Sequence, residues 1–217
     1  MSGHAHSSAA EVAPRRPRGR PRKTLDERAE GNRRQELLSA AARLFRRQGY
    51  DATTTRDIAA AVGMHAGSPF YHFKSKSALL YAVMEEGMRA ALARQTRALQ
   101  TGADPAQTLR NLVACHFDTL HGHGRDFVPV MLYEARSLNT RQRSALERLS
   151  REYEAAWVPV VEALAASGRL KGDVTLVRLL ILGALNWSVQ WFDARKRATL
   201  ADLTDAALSL FLHEEKR

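Results

Sequence analysis

Apolar residues recur at helical spacing from about Asn32 onward, and they predict a first helix that ends near Gly49. Glycine suits the position just after a helix C-terminus because it adopts the left-handed conformation without strain. Two shorter helices follow, one after Thr54 and one around Phe70. The apolar stripe of the first helix consists of Leu37, Leu38, Ala41, Leu44 and Phe45.

The remainder of the chain predicts six further helices, separated by stretches rich in Gly, Pro, Asn or charged residues. Apolar and polar residues do not alternate with a period of two over any long stretch, so the pattern predicts no sheet. The predicted fold class is all-α. The six helices are predicted over about 76–100, 105–121, 126–137, 140–167, 173–193 and 199–214.

Charge divides the chain unevenly. Residues 1–77 carry fifteen of the 33 basic residues but only seven of the 23 acidic ones, and the whole chain has a net charge of +10. Such a balance favours an anionic partner such as nucleic acid. We predict a disordered basic arm over residues 1–30, a DNA-binding domain over 31–77 and a nearly neutral body over 78–217.

Composition excludes several classes of protein. A single cysteine, Cys115, rules out a disulfide scaffold and a cysteine-rich zinc module. No secretory signal and no bilayer-length apolar run occur, so we expect a cytoplasmic protein without a membrane partner.

No catalytic or cofactor motif appears either, and we expect neither an enzyme nor a bound cofactor. A cluster of imidazoles and carboxylates matches no metal-binding spacing, so we predict no metal site there. Its members are His116, Asp118, His121, His123 and Asp126.

The segment after Gly49 has the signals of a helix-turn-helix. Thr54 and Asp57 have the spacing of a capping box, which opens the first helix of the pair. Gly63 follows Ala59 by four residues and permits a left-handed turn. A second element rich in short polar and aromatic side chains then suits insertion into the major groove of DNA.

Two segments of this region, GYDATTTRDIAAAVG and FYHFKSKSALL, resemble the DNA-binding domain of TetR-family transcriptional regulators. The resemblance covers about residues 33–84. It implies an all-α homodimer in which the first three helices bind a double-stranded operator. The remainder would bind a small effector that weakens operator binding.

The resemblance also assigns roles to individual residues. Thr54 and Arg56 would lie near DNA phosphates, and Tyr71 and His72 would meet phosphates or bases. Lys74 and Lys76 would contact the phosphate backbone. Base contacts would come from the start of the recognition element, which is His65, Ala66, Gly67 and Ser68.

Pro69 departs from the family pattern, which has an aliphatic residue at this position. A proline in the interior of a helix lacks an N–H group and collides with the carbonyl four residues earlier. We therefore expect the recognition helix to begin at Pro69, with Ser68 as its N-cap and His65 in the preceding turn.

The arm contains the sequence RPRGRPRK, which resembles an AT-hook. Arg18 and Arg20 flank a glycine, and arginine side chains favour the narrow minor groove of A·T-rich DNA. We expect these two residues to contribute affinity for DNA; a merely basic tail without sequence preference is the alternative.

Residues 174–192 are apolar on nearly every side, and such a helix must be covered on every side. The last helix has a single apolar face. The resemblance implies that these two helices join two chains into a homodimer, whose twofold symmetry matches a palindromic operator.

A ligand pocket requires apolar walls with a few polar groups. The segment GALNWSVQWF resembles regulators that sense acyl-CoA thioesters, which favours an acyl-CoA or fatty-acyl effector. The alternatives are a drug-like aromatic effector and, for the whole protein, a nonspecific architectural DNA-binding function. The candidate ligand-binding residues are Phe117, Phe127, Met131, Tyr133, Trp157, Asn186, Trp187, Gln190 and Trp191.

Overall fold

The computed structural model describes residues 25–65, 67, 69–102, 104–122 and 127–213. Over these residues the chain is helical, with no strand, which confirms the predicted all-α class. Ten α-helices run in chain order. They are α1 (Leu25–Gln48), α2 (Thr55–Ala61), α3 (Pro69–His72), α4 (Lys76–Gln100), α5 (Pro105–His121), α6 (Phe127–Glu134), α7 (Thr140–Ala155), α8 (Val158–Ala166), α9 (Val174–Trp187) and α10 (Leu200–Phe211).

The helix boundaries differ from the prediction at two places. Helix α1 begins at Leu25, so the last residues of the predicted 1–30 arm are helical. The helix predicted over 140–167 is interrupted after Ala155, because Pro159 has no N–H group to bond the Ala155 carbonyl. Residues 1–24, with Arg18 and Arg20, lie outside the described residues.

Two apolar clusters form the core, and α4 contributes to both. Its first half, including Leu80 and Met84, packs with α1 and α2, whereas Met88 and Ala91 pack with α5 and α8. Val130 of α6 is buried in the first cluster. The N-terminal helices and the C-terminal body are therefore joined by shared helices rather than by a linker.

Helix α9 is buried on one side only. Ile181, Leu182 and Leu185 are in the core. Leu180 is 70% exposed and Trp187 is 64% exposed on the opposite side. Within the described residues, no helix has both the length and the apolar character that crossing a membrane requires.

The contact between α4 and α6 depends on a glycine. A Cβ atom built on Gly87 would lie 1.7 Å from Cδ2 of Phe127, so the first residue of α6 packs directly on the α4 backbone. Phe127 in turn packs against both apolar clusters. The absence of a side chain at Gly87 thus sets the distance between α4 and α6.

We expect Gly87→Ala to lower the free energy of unfolding by about 1–3 kcal/mol, because the ring of Phe127 must move. Chemical denaturation measures this loss. Gly31→Ala is the matched control: Gly31 lies within α1 with open space around it, so alanine there should raise stability by about 0.5–1 kcal/mol. Equal effects of the two substitutions would contradict the proposed packing.

Candidate nucleic-acid interface and ligand cavity

Helix α2 begins with the predicted capping box. Thr54 Oγ1 accepts a hydrogen bond from the Asp57 amide at 3.1 Å, and Asp57 Oδ2 accepts one from the Thr54 amide at 2.8 Å. Hydrogen bonds from the Thr54 hydroxyl and amide lower the pKa of the Asp57 carboxyl. Both residues are exposed, so the N-terminal end of α2 is fixed in shape and open to solvent.

The turn after α2 also follows the prediction. Gly63 has a φ of 66°, and the Met64 amide donates to the Ala59 carbonyl at 2.9 Å. Helix α3 begins at Pro69, which confirms that proline occupies its first position. His65 and Gly67 lie exposed in the preceding turn, whereas Ala66 and Ser68 lie outside the described residues.

One face of α3 is open to solvent. Tyr71 is 88% exposed, and its ring meets that of His72 edge to face with centroids 6.4 Å apart. Arg56 and Lys74 are exposed as well. Phe73 faces inward and is covered by the guanidinium group of Arg34, 5.2 Å from the ring centroid. Arg34 is a cation beside α3 that the sequence analysis did not identify.

The phosphate contact of Lys76 stays a prediction, and in the structure Lys76 binds the loop between α1 and α2. Its ammonium group donates to the backbone carbonyls of Tyr50 at 2.9 Å and Thr53 at 3.0 Å, with a longer contact to Asp51 at 3.4 Å. The same group lies 4.2 Å from the centroid of the Tyr50 ring. These contacts use the three donors of Lys76 on the loop between α1 and α2.

The α1–α2 loop is held from α6 as well. The Tyr50 amide donates to Glu134 Oε1 at 3.1 Å. Glu134 is the last residue of α6. Residues of α4 and α6 therefore both form hydrogen bonds with the loop that leads into α2.

The C-terminal body contains a cavity of about 100 Å³ between α4, α5, α6, α7 and α9. Its walls are mostly apolar, but six of its lining residues are polar or charged. Met131 and Asn186 are the predicted ligand-binding residues that line it. The full lining is Met88, Ala91, His116, Thr119, Leu120, Val128, Met131, Leu132, Ser150, Tyr153, Glu154, Leu182 and Asn186.

The aromatic residues of the predicted ligand-binding set do not line this cavity. Phe117 and Trp157 are buried in the core, and Phe127 packs on Gly87. The other four predicted residues lie at the surface, because helical periodicity does not distinguish an outward apolar face from a ligand wall. Gln190 donates to the Tyr133 hydroxyl there, and Trp187 and Trp191 are more than half exposed.

A buried hydrogen-bond network lies at the polar side of the cavity. His116 Nδ1 is 2.9 Å from the Tyr153 hydroxyl, and His116 Nε2 is 3.1 Å from Asn186 Oδ1. Because an amide oxygen only accepts, Nε2 carries the proton and Nδ1 accepts from Tyr153. Desolvation lowers the pKa of His116 to about 4 and raises that of Tyr153, so both groups are neutral near pH 7.

The spacing of apolar residues around His116 indicates that its side chain is buried. His116 lies four residues after Leu112 and four before Leu120, on the buried face of α5. In the structure it faces Tyr153, whereas His121 contacts Ser188 Oγ at 2.8 Å. Among the described residues no three potential ligands converge on a metal site; His123 and Asp126 lie outside them.

The exposed α3 face behind a capped α2, carried on an all-helical body, defines a helix-turn-helix DNA-binding protein. Family models give the same class. Residues 37–83 match bacterial regulatory proteins of the tetR family, and residues 102–214 match the tetracyclin repressor-like C-terminal domain. The chain therefore belongs to the TetR family of DNA-binding transcriptional regulators, which are not enzymes.

Individual relatives agree with this assignment. The chain is 32% identical over 167 residues to the transcriptional repressor KstR2 of Mycolicibacterium smegmatis, covering 74% of this chain and 80% of that protein. The structure of the ketosteroid transcriptional regulator KstR2 of Mycobacterium tuberculosis superposes with a TM-score of 0.74 at 28% identity, covering 84% of this chain and 96% of the other. AibR, solved with isovaleryl coenzyme A and operator DNA, shares the fold with a TM-score of 0.76 at 24% identity, over 82% of this chain and 97% of AibR.

The buried neutral His116 predicts a loss of stability in mild acid. Its pKa in the folded chain is about 4, below the ordinary 6.5, so below pH 6.5 the unfolded chain binds a proton that the folded chain does not. Between pH 6.5 and pH 5 this difference removes about 1.5 kcal/mol of stability. Urea unfolding at several pH values measures it.

His116→Gln should flatten the pH dependence in this window, because glutamine does not titrate. His65→Gln removes an exposed imidazole and should leave the pH dependence as in the wild type. A His116→Gln protein that loses stability as steeply as wild type between pH 6.5 and pH 5 would contradict the assignment.

Proposed function

We propose that this protein is a cytoplasmic repressor that binds a palindromic operator as a homodimer and is released from it by a small apolar effector. One observation carries the proposal. The exposed α3 face and a cavity with polar groups in its wall occur in one chain, linked through α4 and α6.

DNA contacts would come from the exposed residues at and around α2 and α3. Thr54 and Arg56 would meet phosphates, and Tyr71 and His72 would reach bases or phosphates. Short polar groups permit close approach, and cations release counterions from DNA. We assign the same surface to His65, Ala66, Gly67, Ser68 and Lys74, and the minor groove to Arg18 and Arg20.

Dimer formation would cover the open side of α9 together with α10. Leu176 and Leu180 are exposed on α9, and Leu210 is 82% exposed on α10. Apolar side chains clustered in this way lower the free energy when a second copy buries them. A twofold axis through these helices would also place two α3 helices for a palindrome.

Release from DNA would follow from movement of α4 and α6. Met131 lines the cavity, and Glu134, less than one turn further along α6, holds the Tyr50 amide. Lys76 holds the same loop from α4. An effector that displaces α6 would therefore shift the loop leading into α2 and change the spacing of the recognition helices.

The effector class that we favour is an acyl-CoA or a fatty-acyl compound. The apolar walls of the cavity and the similarity to KstR2, a regulator named for ketosteroids, support a large apolar effector, and the acyl-CoA class within it rests on the resemblance of the segment GALNWSVQWF. Ligand pockets for such molecules occupy roughly 300–1,000 Å³. The present cavity of about 100 Å³ must therefore open, and the break between α7 and α8 lets these helices separate.

Tyr71→Ala tests the DNA contact. An operator is first selected from a random duplex pool with the wild-type protein, and affinities are then measured by fluorescence anisotropy at two salt concentrations. We expect the substitution to weaken operator binding by about tenfold or more, since a contact to DNA is lost. Tyr71 is exposed, so the thermal midpoint should not change.

Lys171→Ala is the control for this experiment, because Lys171 is an exposed cation between α8 and α9. It should bind the operator as the wild type does. Equal affinity of Tyr71→Ala and wild type would refute the assignment. Wild-type binding that is steep in salt and indifferent to sequence would favour an architectural DNA-binding function instead.

Leu180→Arg tests the dimer. A charge in the centre of the exposed α9 face should yield single chains of 24.2 kDa in analytical ultracentrifugation, where the wild type sediments as a dimer. The operator affinity should fall with the dimer. Ala166→Arg, at an exposed position on α8, should remain dimeric. A monomeric wild type, or a dimeric Leu180→Arg protein, would argue against the α9 interface.

A further inference from the structure

Arg94 carries a charge that the described structure does not pair. Its Nε donates to Thr119 Oγ1 at 3.4 Å, and its Nη2 is buried without a hydrogen-bond partner among the described residues. Thr119 lines the cavity, so the guanidinium group adjoins the cavity wall. Arg94 does not line the cavity itself but is hydrogen-bonded to a residue that does. Two other buried donors, Trp157 Nε1 and Arg169 Nε, also lack partners among the described residues, and no side-chain hydrogen bond joins either of them to the lining.

Other basic residues near the cavity and in the second half of α4 either form an ion pair or are exposed to water. Arg178 forms an ion pair of 2.7 Å with Glu154, and its side chain is only 15% exposed. Arg89 pairs with Glu85 at 2.9 Å. Arg97, one turn beyond Arg94 on α4, is exposed to water. Arg94 is thus the cation whose partner is missing.

Asp118, an exposed carboxylate, lies near Cys115 as Arg94 does, but no ion pair joins a carboxylate to Arg94 among the described residues. Glu154 is the carboxylate that lines the cavity, and Arg178 already neutralises it. Tyr153 and Cys115 lie near Arg94, and burial raises the pKa of both, so they stay protonated near pH 7. Arg94 therefore has no ion-pair partner among the described residues on this side of the cavity.

A neighbouring polar residue, Asn186, also has hydrogen-bond donors without an acceptor in the described part of the chain. Asn186 Oδ1 is occupied by His116, which leaves the Asn186 amide N–H groups without an acceptor among the described residues. Thr119 donates its hydroxyl proton to the Cys115 carbonyl at 2.8 Å. A buried donor without an acceptor costs stability, and an unpaired buried charge costs more. Arg94 Nη2 is a buried donor of this kind, and a ligand that supplies an anionic oxygen would remove its cost.

We propose that Arg94 binds an anionic oxygen of the effector, so that the effector is an apolar molecule with an acidic group rather than a neutral one. This inference rests on the proposed effector function of the cavity and specifies its ligand chemistry. A carboxylate of a free fatty acid and a phosphate of an acyl-CoA both provide such an oxygen. Arg94 would bind either through charge-assisted hydrogen bonds.

The first test uses the full-length protein without ligand. Arg94→Met removes the unpaired charge but keeps an unbranched apolar chain like the stem of arginine, so its thermal midpoint should rise by roughly 2–4 °C. Arg97→Met, the matched control on the same helix, should leave the midpoint unchanged. A lower midpoint for Arg94→Met would mean that Arg94 supports the fold, and it would overturn the proposal.

The second test measures binding by isothermal titration calorimetry with three probes: dodecanoate, dodecanoyl-CoA and dodecan-1-ol. We expect Arg94→Met to weaken binding of an acidic probe by roughly tenfold or more, with binding of the alcohol unchanged. Arg94→Lys, which keeps the charge but not the forked geometry, should lie between Arg94→Met and wild type. If Arg94→Met loses affinity for dodecanoate alone, the anionic group is a carboxylate. If it loses affinity for dodecanoyl-CoA alone, the ligand is the thioester.

The outcomes separate this inference from the proposed function. The role of Arg94 is refuted if wild type and Arg94→Met bind the acidic probes equally well. It is also refuted if Arg97→Met loses as much affinity for these probes as Arg94→Met does. The proposed effector class stands in both cases. If the wild type binds the alcohol as tightly as the acids, the acidic group is likewise refuted. If the wild type binds none of the probes, the effector class fails and the Arg94 inference fails with it.

Discussion

The loop between α1 and α2 is the constraint on which the rest of the structure depends. Lys76 binds its carbonyls from α4, and Glu134 binds the Tyr50 amide from α6. The position of α2, and through it α3, follows from where these two helices lie. Hydrogen bonds to a charged group contribute about 1.5–3 kcal/mol each. Few such contacts are enough to make the orientation of the DNA-binding helices depend on the state of the C-terminal body.

The buried polar groups at the cavity lower the stability of the fold, but they also provide hydrogen-bond partners for the proposed ligand. His116 is buried and neutral, and it joins α5 to α7 and α9 through Tyr153 and Asn186. An apolar side chain of the same size would avoid the desolvation of these groups, yet it would leave the cavity without polar partners for a ligand. Arg94 adds a further unfavourable term in the absence of ligand. An effector that satisfies these donors gains affinity from the instability of the empty site.

Local physical chemistry was sufficient to predict where α2 and α3 begin and where the turn between them lies, whereas the DNA-binding role came from the resemblance to the TetR family. The sequence predicts the cap at Thr54, the turn at Gly63 and the helix start at Pro69. Each of these residues fixes the backbone conformation of positions within four residues of itself, so neighbouring residues are enough for the prediction. The partners of Lys76 and His116 are 23 and 37 residues away or more, and spacing along one helix does not reveal them. Apolar periodicity identifies a face that is buried or paired, but it does not identify what covers that face. For this reason the sequence pattern assigns the exposed Trp187 and Trp191 to the cavity.

Helix α9 links the cavity to the open apolar face. Arg178, Leu182 and Asn186 recur every four residues and lie on the cavity side, whereas Leu180 and Trp187 lie on the exposed side. A helix is stiff across its own diameter, so a ligand that pushes on Leu182 or takes up Asn186 must displace the exposed face as well. If a second copy covers that face, the displacement changes the angle between the two chains. The effector would then reach the operator by two routes, through the α1–α2 loop within a chain and through α9 between chains.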